Sequence, residues 1–261
     1  MTANYVDTHC HLASNRFDAD RDQVARECIA SGVRMIEAAG TVENSRIAVR
    51  LARRYPEIRA SAGVHPTDTA ALGEADWEEI VGLADDESVA AIGETGLDYH
   101  WKDSPPEVQK TWFLRHIELA KAVDKPVVVH ARDSVPDVLS MLEPHFKEGL
   151  KAVWHCFAAP KRDLDDALEF AVRNALFLGI GGLATFEDQK ALRSRLARIP
   201  DRLLLLETDS PYLIPRPRES DRNDPRGVIR VAEALAELRG ATREEIARIT
   251  TENAIRLFRL G

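Results

Sequence analysis

Along the chain, short apolar runs rich in Val, Ile, Leu and Ala alternate with longer stretches in which apolar residues recur every three or four positions. The first pattern suits buried strands of a parallel sheet, the second amphipathic helices. Strands are predicted at 4–9 (NYVDTH), 33–39 (VRMIEAA), 58–63 (IRASAG), 89–94 (VAAIGE), 125–131 (KPVVVHA), 151–156 (KAVWHC), 175–181 (ALFLGIG) and 202–208 (RLLLLET). Helices are predicted at 20–31, 44–54, 75–85, 106–122, 134–146, 161–173 and 186–198, with two more at 226–239 and 243–258. Thr242-Arg243-Glu244-Glu245 fits a capping box for the last helix, and its stripe of Ile246, Ile249, Ala254, Leu257 and Phe258 reads as a core-facing surface. Pro225 suits the first turn of the helix before it.

Eight βα units imply a parallel sheet, and eight strands are the number that closes a barrel. The expected fold class is therefore α/β, a (β/α)8 TIM barrel with an extra C-terminal helix, formed as one domain over 1–261. A doubly wound open sheet is the alternative; it would bind ligand where the strand order reverses. In a closed barrel, reactive groups come instead from the C-terminal ends of several strands.

The strand ends carry such groups. His9 and His11 end the first strand, His65 the third, Glu94 the fourth, His130 and Arg132 the fifth, His155 the sixth, and Glu207 and Asp209 the eighth. Five of the eight histidines are used at this one end, which chance placement does not explain. Strict alternation puts Asp7, His9 and His11 on one face, Val153 with His155 on another, and Leu203, Leu205, Glu207 and Asp209 on a third. The same parity turns Cys10 and Cys156 toward the helices as buried structural cysteines, and Trp154 toward the helical layer. His100, His116 and His145 fall in loop or helix patterns and are expected to be structural, as are Met35 and Met141.

Four histidines and two or three carboxylates exceed what one tetrahedral zinc ion takes. They suit two divalent ions with a bridging carboxylate, and Glu94, alone at its strand end, is the expected bridge. Two such ions lower the pKa of a water between them and brace attacking and leaving oxygens, which is machinery for hydrolysis. Mixed N/O ligation without thiolate allows Zn, Mn, Mg, Fe or Co.

Composition narrows the setting. The 261-residue chain has 44% hydrophobic and 30% charged residues, ordinary for a water-soluble globular protein. MTANYVDTHC has neither the basic start nor the apolar stretch of a signal peptide, no run is long enough to span a bilayer, and three cysteines make no disulfide framework. A cytoplasmic protein with no membrane partner and no obligate protein partner is expected. The net charge of −8 argues against binding nucleic acid through a broad basic surface. Locally, Arg216, Arg218, Arg222 and Arg226 crowd a loop after the eighth strand, either solvated among acidic neighbours or able to touch phosphates at the barrel mouth.

Taken together, DTHCHL, GVHP, GETGLDY, VVVHARD, HCF and LLLETDSPYL resemble, in order and spacing, the motifs of the TatD family of metal-dependent hydrolases. RNDP and ATREEIARITTENAIRLF extend the resemblance over the whole chain. It implies an amidohydrolase-like barrel and a deoxyribonuclease cleaving phosphodiester bonds of DNA, with 3′→5′ exonuclease action on DNA or oligonucleotide 3′ ends. Carried over by position, His9, His11, Glu94 and Asp209 resemble the ligands of one metal, and Glu94, His130 and His155 those of the second. Asp209 would also orient or deprotonate the attacking water, with Glu94 and Asp209 as the catalytic carboxylates. His65, Arg132 and Glu207 resemble contacts to substrate phosphate or to an accessory third metal that arrives with substrate. Two departures bear on substrate preference: Ala158-Ala159 stands where the family has Ser-Gly, and RNDPRG differs from the commoner Asn-Glu-Pro tail. A glutamate at 94 favours the phosphodiesterase branch, since dihydroorotase-like amidohydrolases commonly place a carboxylated lysine there or on a neighbouring strand as the bridge. The alternative activity is an acyl hydrolase (amidase, lactonase or D-aminoacyl-tRNA deacylase) on the same site. A binding barrel with a vestigial site is disfavoured, because no ligand position is missing.

Overall fold

The computed structural model describes residues 5–218 and 220–261. Asn4, expected to open the first strand, and Glu219, an acidic neighbour in the arginine loop, lie outside the described residues. All eight strands form: β1 Tyr5–Cys10, β2 Val33–Glu37, β3 Ile58–Ala62, β4 Val89–Asp98, β5 Val127–Arg132, β6 Ala152–Trp154, β7 Phe177–Ile180 and β8 Leu204–Leu206. The helices between and after them are α1 Arg21–Ala30, α2 Val42–Arg54, α3 Glu74–Ala84, α4 Pro106–Ala122, α5 Val135–Phe146, α6 Leu164–Asn174, α7 Lys190–Leu196, α8 Gly227–Arg239 and α9 Arg243–Phe258. Each strand pairs in parallel with the next in sequence, with no reversal of order. The open doubly wound alternative is thereby excluded. Between β8 and β1 the sheet nearly closes: Cys10 bridges Ser210, the Asp209 N–H donates to His9 O at 2.8 Å, and the His11 N–H donates to Ser210 O at 2.8 Å.

The interior is apolar below and polar above. Val6, Ile36, Val128, Val153 and Leu205, drawn from five strands, meet on the barrel axis. Ala254, Leu257 and Phe258 of α9 join this cluster and plug the barrel from beneath. The larger cluster, between sheet and helices, takes the opposite strand faces, with Met35 and Trp154 fully buried in it. Burying a side chain such as Leu257 or Phe258 contributes roughly 1.5–3 kcal/mol, so the extra helix is part of the core. Thr242 caps it, accepting the Glu245 N–H at 3.1 Å.

The structure corrects some local expectations. β1 carries a bulge between Asp7 and Cys10, so Val6 faces the axis while Asp7 turns outward, and the alternation resets before His9. β4 runs four residues beyond its predicted end. Gly96 makes this possible: it sits at φ +136°, and a Cβ there would run into the His130 carbonyl of β5. α8 begins at Gly227, so Pro225 precedes the helix and its carbonyl accepts the Val228 N–H. None of the helices described is long and apolar enough to cross a membrane.

Candidate metal centre

Glu94 stands at the middle of the C-terminal rim. Its Oε2 lies 3.2 Å from His9 Nε2 and 3.8 Å from His11 Nε2. Its Oε1 lies 2.9 Å from His155 Nε2, 3.0 Å from His130 Nδ1 and 3.7 Å from His65 Nε2. One carboxylate thus addresses two histidine sets, one with each oxygen. Asp209 joins the first set, with Oδ1 3.1 Å from His11 Nε2 and 3.7 Å from His9 Nε2. In the second, His130 Nδ1 and His155 Nε2 are 3.3 Å apart.

Each position follows from local backbone. The bulge in β1 turns His9 and His11 inward together. Asp209 lies three residues past the end of β8 at φ +55°, tied by its N–H to the His9 carbonyl. Beneath the pair, the Asp7 carboxylate accepts the Thr208 N–H at 2.9 Å and the Thr208 hydroxyl at 2.6 Å. Glu37, at the end of β2, accepts the Leu12 and Ala13 N–H groups at 2.8 and 2.7 Å and so fixes the turn after His11.

The donor set fits divalent cations. His11 Nδ1 lies 2.8 Å from the Ala38 carbonyl, which fixes the ring with Nε2 toward His9, Glu94 and Asp209. That Nε2 lies 3.1 Å from His9 Nε2, while His9 Nδ1 is buried without a hydrogen-bond partner among the described residues. Ring nitrogens and carboxylate oxygens converge here, and divalent cations taking the place of the protons between them would satisfy both kinds of donor. Among the described residues, three groupings have the needed compactness: His9–His11–Asp209, His9–Glu94–His155 and His65–Asp98–His130.

Electrostatics agree. Burial would raise Glu94, but the charges of His155, His9 and His65 outweigh it and hold the carboxyl well below its ordinary range. Burial opposes charging His11, yet Asp209 and Glu94 raise it to about 9. His65 is depressed by burial, then by His130, to about 3. His9 and His155 stack with ring centroids 3.9 Å apart. Burial and the charge of His155 both lower His9.

The residues singled out from sequence fall as follows. His9, His11, Glu94, His130, His155 and Asp209 meet in the one cluster. His65 lines the same cavity of about 1150 Å³, and Arg132 stands on its edge beside Trp101. Glu207, expected at a substrate phosphate, is fully buried behind His155: its Oε1 accepts the Cys156 N–H and lies 3.5 Å from His155 Nδ1. β7 makes room for it, since a Cβ on Gly179 would strike the Glu207 carboxylate. Cys10 points outward as expected, but Cys156, at φ +47° just beyond β6, lines the cavity, because strand parity ends with the strand at Trp154. His116 is structural, as expected, although it supports the site: its Nε2 accepts the Val64 N–H at 3.1 Å, next to His65. The loop arginines face acids instead of the cavity: Arg222 pairs with Asp20 at 2.6 Å, Arg226 with Asp224 at 2.7 Å and Arg218 with Asp221 at 3.0 Å, while Arg216 covers Phe186. Sequence reasoning missed Asp98, whose Oδ2 lies 3.0 Å from His130 Nε2. Its signal was present, four residues after Glu94 in GETGLDY, had the strand been continued through the glycines.

Comparison with known proteins agrees with this geometry. The family model "TatD related DNase" matches residues 6–259. The uncharacterized metal-dependent hydrolase YabD of Bacillus subtilis is 39% identical over 259 residues, covering 98% of this chain and 99% of that protein. The 3′-5′ ssDNA/RNA exonuclease TatD of Dickeya dadantii is 39% identical over 262 residues, covering 98% of each. The crystal structure of YjjV, a TatD homolog from Escherichia coli K12, superposes with a TM-score of 0.91 at 28% identity over 100% of both chains. With its histidines and carboxylates gathered on the rim of a (β/α)8 barrel and the family model spanning nearly its full length, this chain belongs to the TatD-related DNase family and is a metal-dependent hydrolase of the TatD type.

Proposed function

We propose that this protein is a phosphodiesterase that shortens DNA from its 3′ ends using two divalent metal ions. The division of Glu94 carries this reading, one oxygen toward His9 and His11 and the other toward His130 and His155. His9, His11, Glu94 and Asp209 would hold one ion, and Glu94, His130 and His155 the other. His65 and Asp98, which form a third compact grouping with His130, would offer ligands for an accessory third. Bound there, divalent cations supply a water of lowered pKa and positive charge for the attacking and leaving oxygens of the phosphodiester.

The chain's own groups do the rest. Asp209 orients the attacking water and takes its proton; burial raises its carboxyl, but the hydrogen bond and charge of His11 outweigh it and keep it ionised. His65 Nδ1 lies 2.6 Å from the Thr67 hydroxyl, which holds the ring with Nε2 toward Glu94. Neutral at physiological pH, the ring lines the cavity where a phosphate oxygen or an accessory ion would sit. Arg132 adds a fixed positive charge at the edge. Glu207 holds the His155 ring from behind and does not touch substrate.

The relatives support DNA as substrate: the family model is a DNase, and TatD of Dickeya dadantii is named a 3′-5′ ssDNA/RNA exonuclease. The test pairs a 5′-labelled single-stranded oligonucleotide with a panel of amides, lactones and aminoacyl esters, with Mn or Zn added. Stepwise shortening from the 3′ end is expected. Acyl hydrolysis without phosphodiester cleavage, or release from the 5′ end, overturns the proposal.

A further inference from the structure

Five large apolar side chains are well exposed among the described residues: Trp101, Leu114, Val172, Tyr212 and Ile255. The two aromatic ones, 52% and 48% exposed, both line the cavity above the metal centre. Scattered exposed aliphatics need no explanation, but two exposed aromatics at one concave site do. Each is held in place. The Trp101 N–H donates to Asp98 Oδ1 at 3.0 Å, and the other oxygen of that carboxylate contacts His130, so the turn carrying the indole is anchored to the second histidine set. The Tyr212 N–H donates to the Asp209 carbonyl at 2.9 Å, and its ring meets His11 edge-on at 6.1 Å, which anchors it to the first set. Each has an arginine on its ring: Arg132 lies 5.6 Å from Trp101 and Arg16 lies 5.7 Å from Tyr212.

Aromatic faces open to solvent, fixed near a phosphodiester site and accompanied by arginines, match how unpaired nucleobases are bound. We propose that Trp101 and Tyr212 are stacking platforms for nucleobases on either side of the scissile phosphodiester. The inference rests on the phosphodiesterase reading above and adds the residues that recognise the bases. Bases within a duplex have both faces covered and cannot use the platforms until they unstack.

Trp101 provides a direct test. The other three tryptophans, Trp77, Trp112 and Trp154, are at most 8% exposed, so the fluorescence that a base can quench belongs to Trp101. Quenching by a short single-stranded oligonucleotide, and much less by the same strand carrying abasic sugars, is expected. In steady-state assays, Trp101→Ala should raise KM for the base-containing strand roughly 5- to 160-fold, the range found for losing a stacked base, with kcat changing far less. The preference of wild type for base-containing over abasic strands should shrink by the same factor, and Trp101→Phe should restore part of it. If wild type cleaves oligonucleotides but Trp101→Ala keeps the same KM and the same preference, the platform is refuted while the phosphodiesterase reading stands. If wild type cleaves no oligonucleotide at all, both fall.

Discussion

Glu207→Gln separates two roles for a carboxylate at the end of β8. A phosphate-contacting or substrate-side role makes it a determinant of KM; the structure puts it behind His155, out of the cavity. The substitution keeps the shape and an oxygen for the Cys156 N–H but removes the negative charge 3.5 Å from His155 Nδ1. For two full charges at that distance and an effective dielectric of about 20, the gross interaction is about 5 kcal/mol. A neutral imidazole acting as a ligand bears only part of a charge, so the expressed loss is smaller. Carboxylates behind metal-binding histidines typically account for 10–100-fold in metal affinity, or about 1.4–2.7 kcal/mol. Titration calorimetry of the metal-free chain with Mn should therefore show one class of sites weakened 10–100-fold while the other keeps its affinity. At saturating metal, KM for an oligonucleotide should stay within twofold. The reasoning is refuted if metal affinity is unchanged and KM rises instead, which would return Glu207 to the substrate.

Glu94→Gln removes the anionic oxygen from both histidine sets at once; bound metal per chain should drop, and phosphodiester hydrolysis should fall at least about a thousandfold, checked by elemental analysis and rate on one sample. Arg132→Ala should flatten the dependence of log(kcat/KM) on log[salt] by about 0.7 for a single strand, since one phosphate contact is lost, and the loop arginines already paired to acids should contribute little. His116 should appear in the acid stability of the fold. Burial depresses it to about 4, below the 6.5 of an unfolded chain, so its contribution is complete above pH 6.5 and is lost as pH falls toward 4. The loss comes to about 3 kcal/mol. His116→Gln keeps an acceptor for Val64 but does not titrate; urea unfolding at pH 7.5 and 4.5 should show a smaller drop for the variant, and parallel drops would rule this out.

Much of this was legible because barrels repeat one simple rule. Every strand could be found from its apolar run, and six metal-ligand candidates from the polar residue where that run stopped. The rule fails where backbone geometry departs from plain alternation. The bulge in β1 changes which of Val6 and Asp7 faces inward, and nothing in VDTHCHL marks it. Gly93 and Gly96 look like the end of a strand, yet they let β4 continue against β5 and deliver Asp98. Cys156 escapes the parity of β6 because it follows the strand in a left-handed conformation. The arginine loop shows a different limit: its charge is visible in sequence, but Asp20, which engages Arg222, lies 202 residues earlier.

The site and the closure of the barrel are one construction. β8 has only three residues in its ladder with β7, and beyond Glu207, whose N–H still donates to the Ile180 carbonyl at 3.0 Å, its chain turns to β1. There the backbone of Asp209 and Ser210 hydrogen-bonds that of His9 and His11, so the peptide groups that shut the barrel belong to the residues that carry the donors. Asp7 and Thr208 lock this seam from below, and Asn223 holds it from above, donating to the Thr208 carbonyl at 3.1 Å and the Tyr212 carbonyl at 2.8 Å. That gives the RNDP segment a structural task where its arginine has none at the cavity. Thr8 adds to this seam, its hydroxyl donating to the Leu206 carbonyl at 3.0 Å, and the Ser210 N–H donates to the Thr208 hydroxyl at 3.1 Å. A cation bound by His9, His11 and Asp209 would therefore tie β1 to β8 where their own ladder is thinnest.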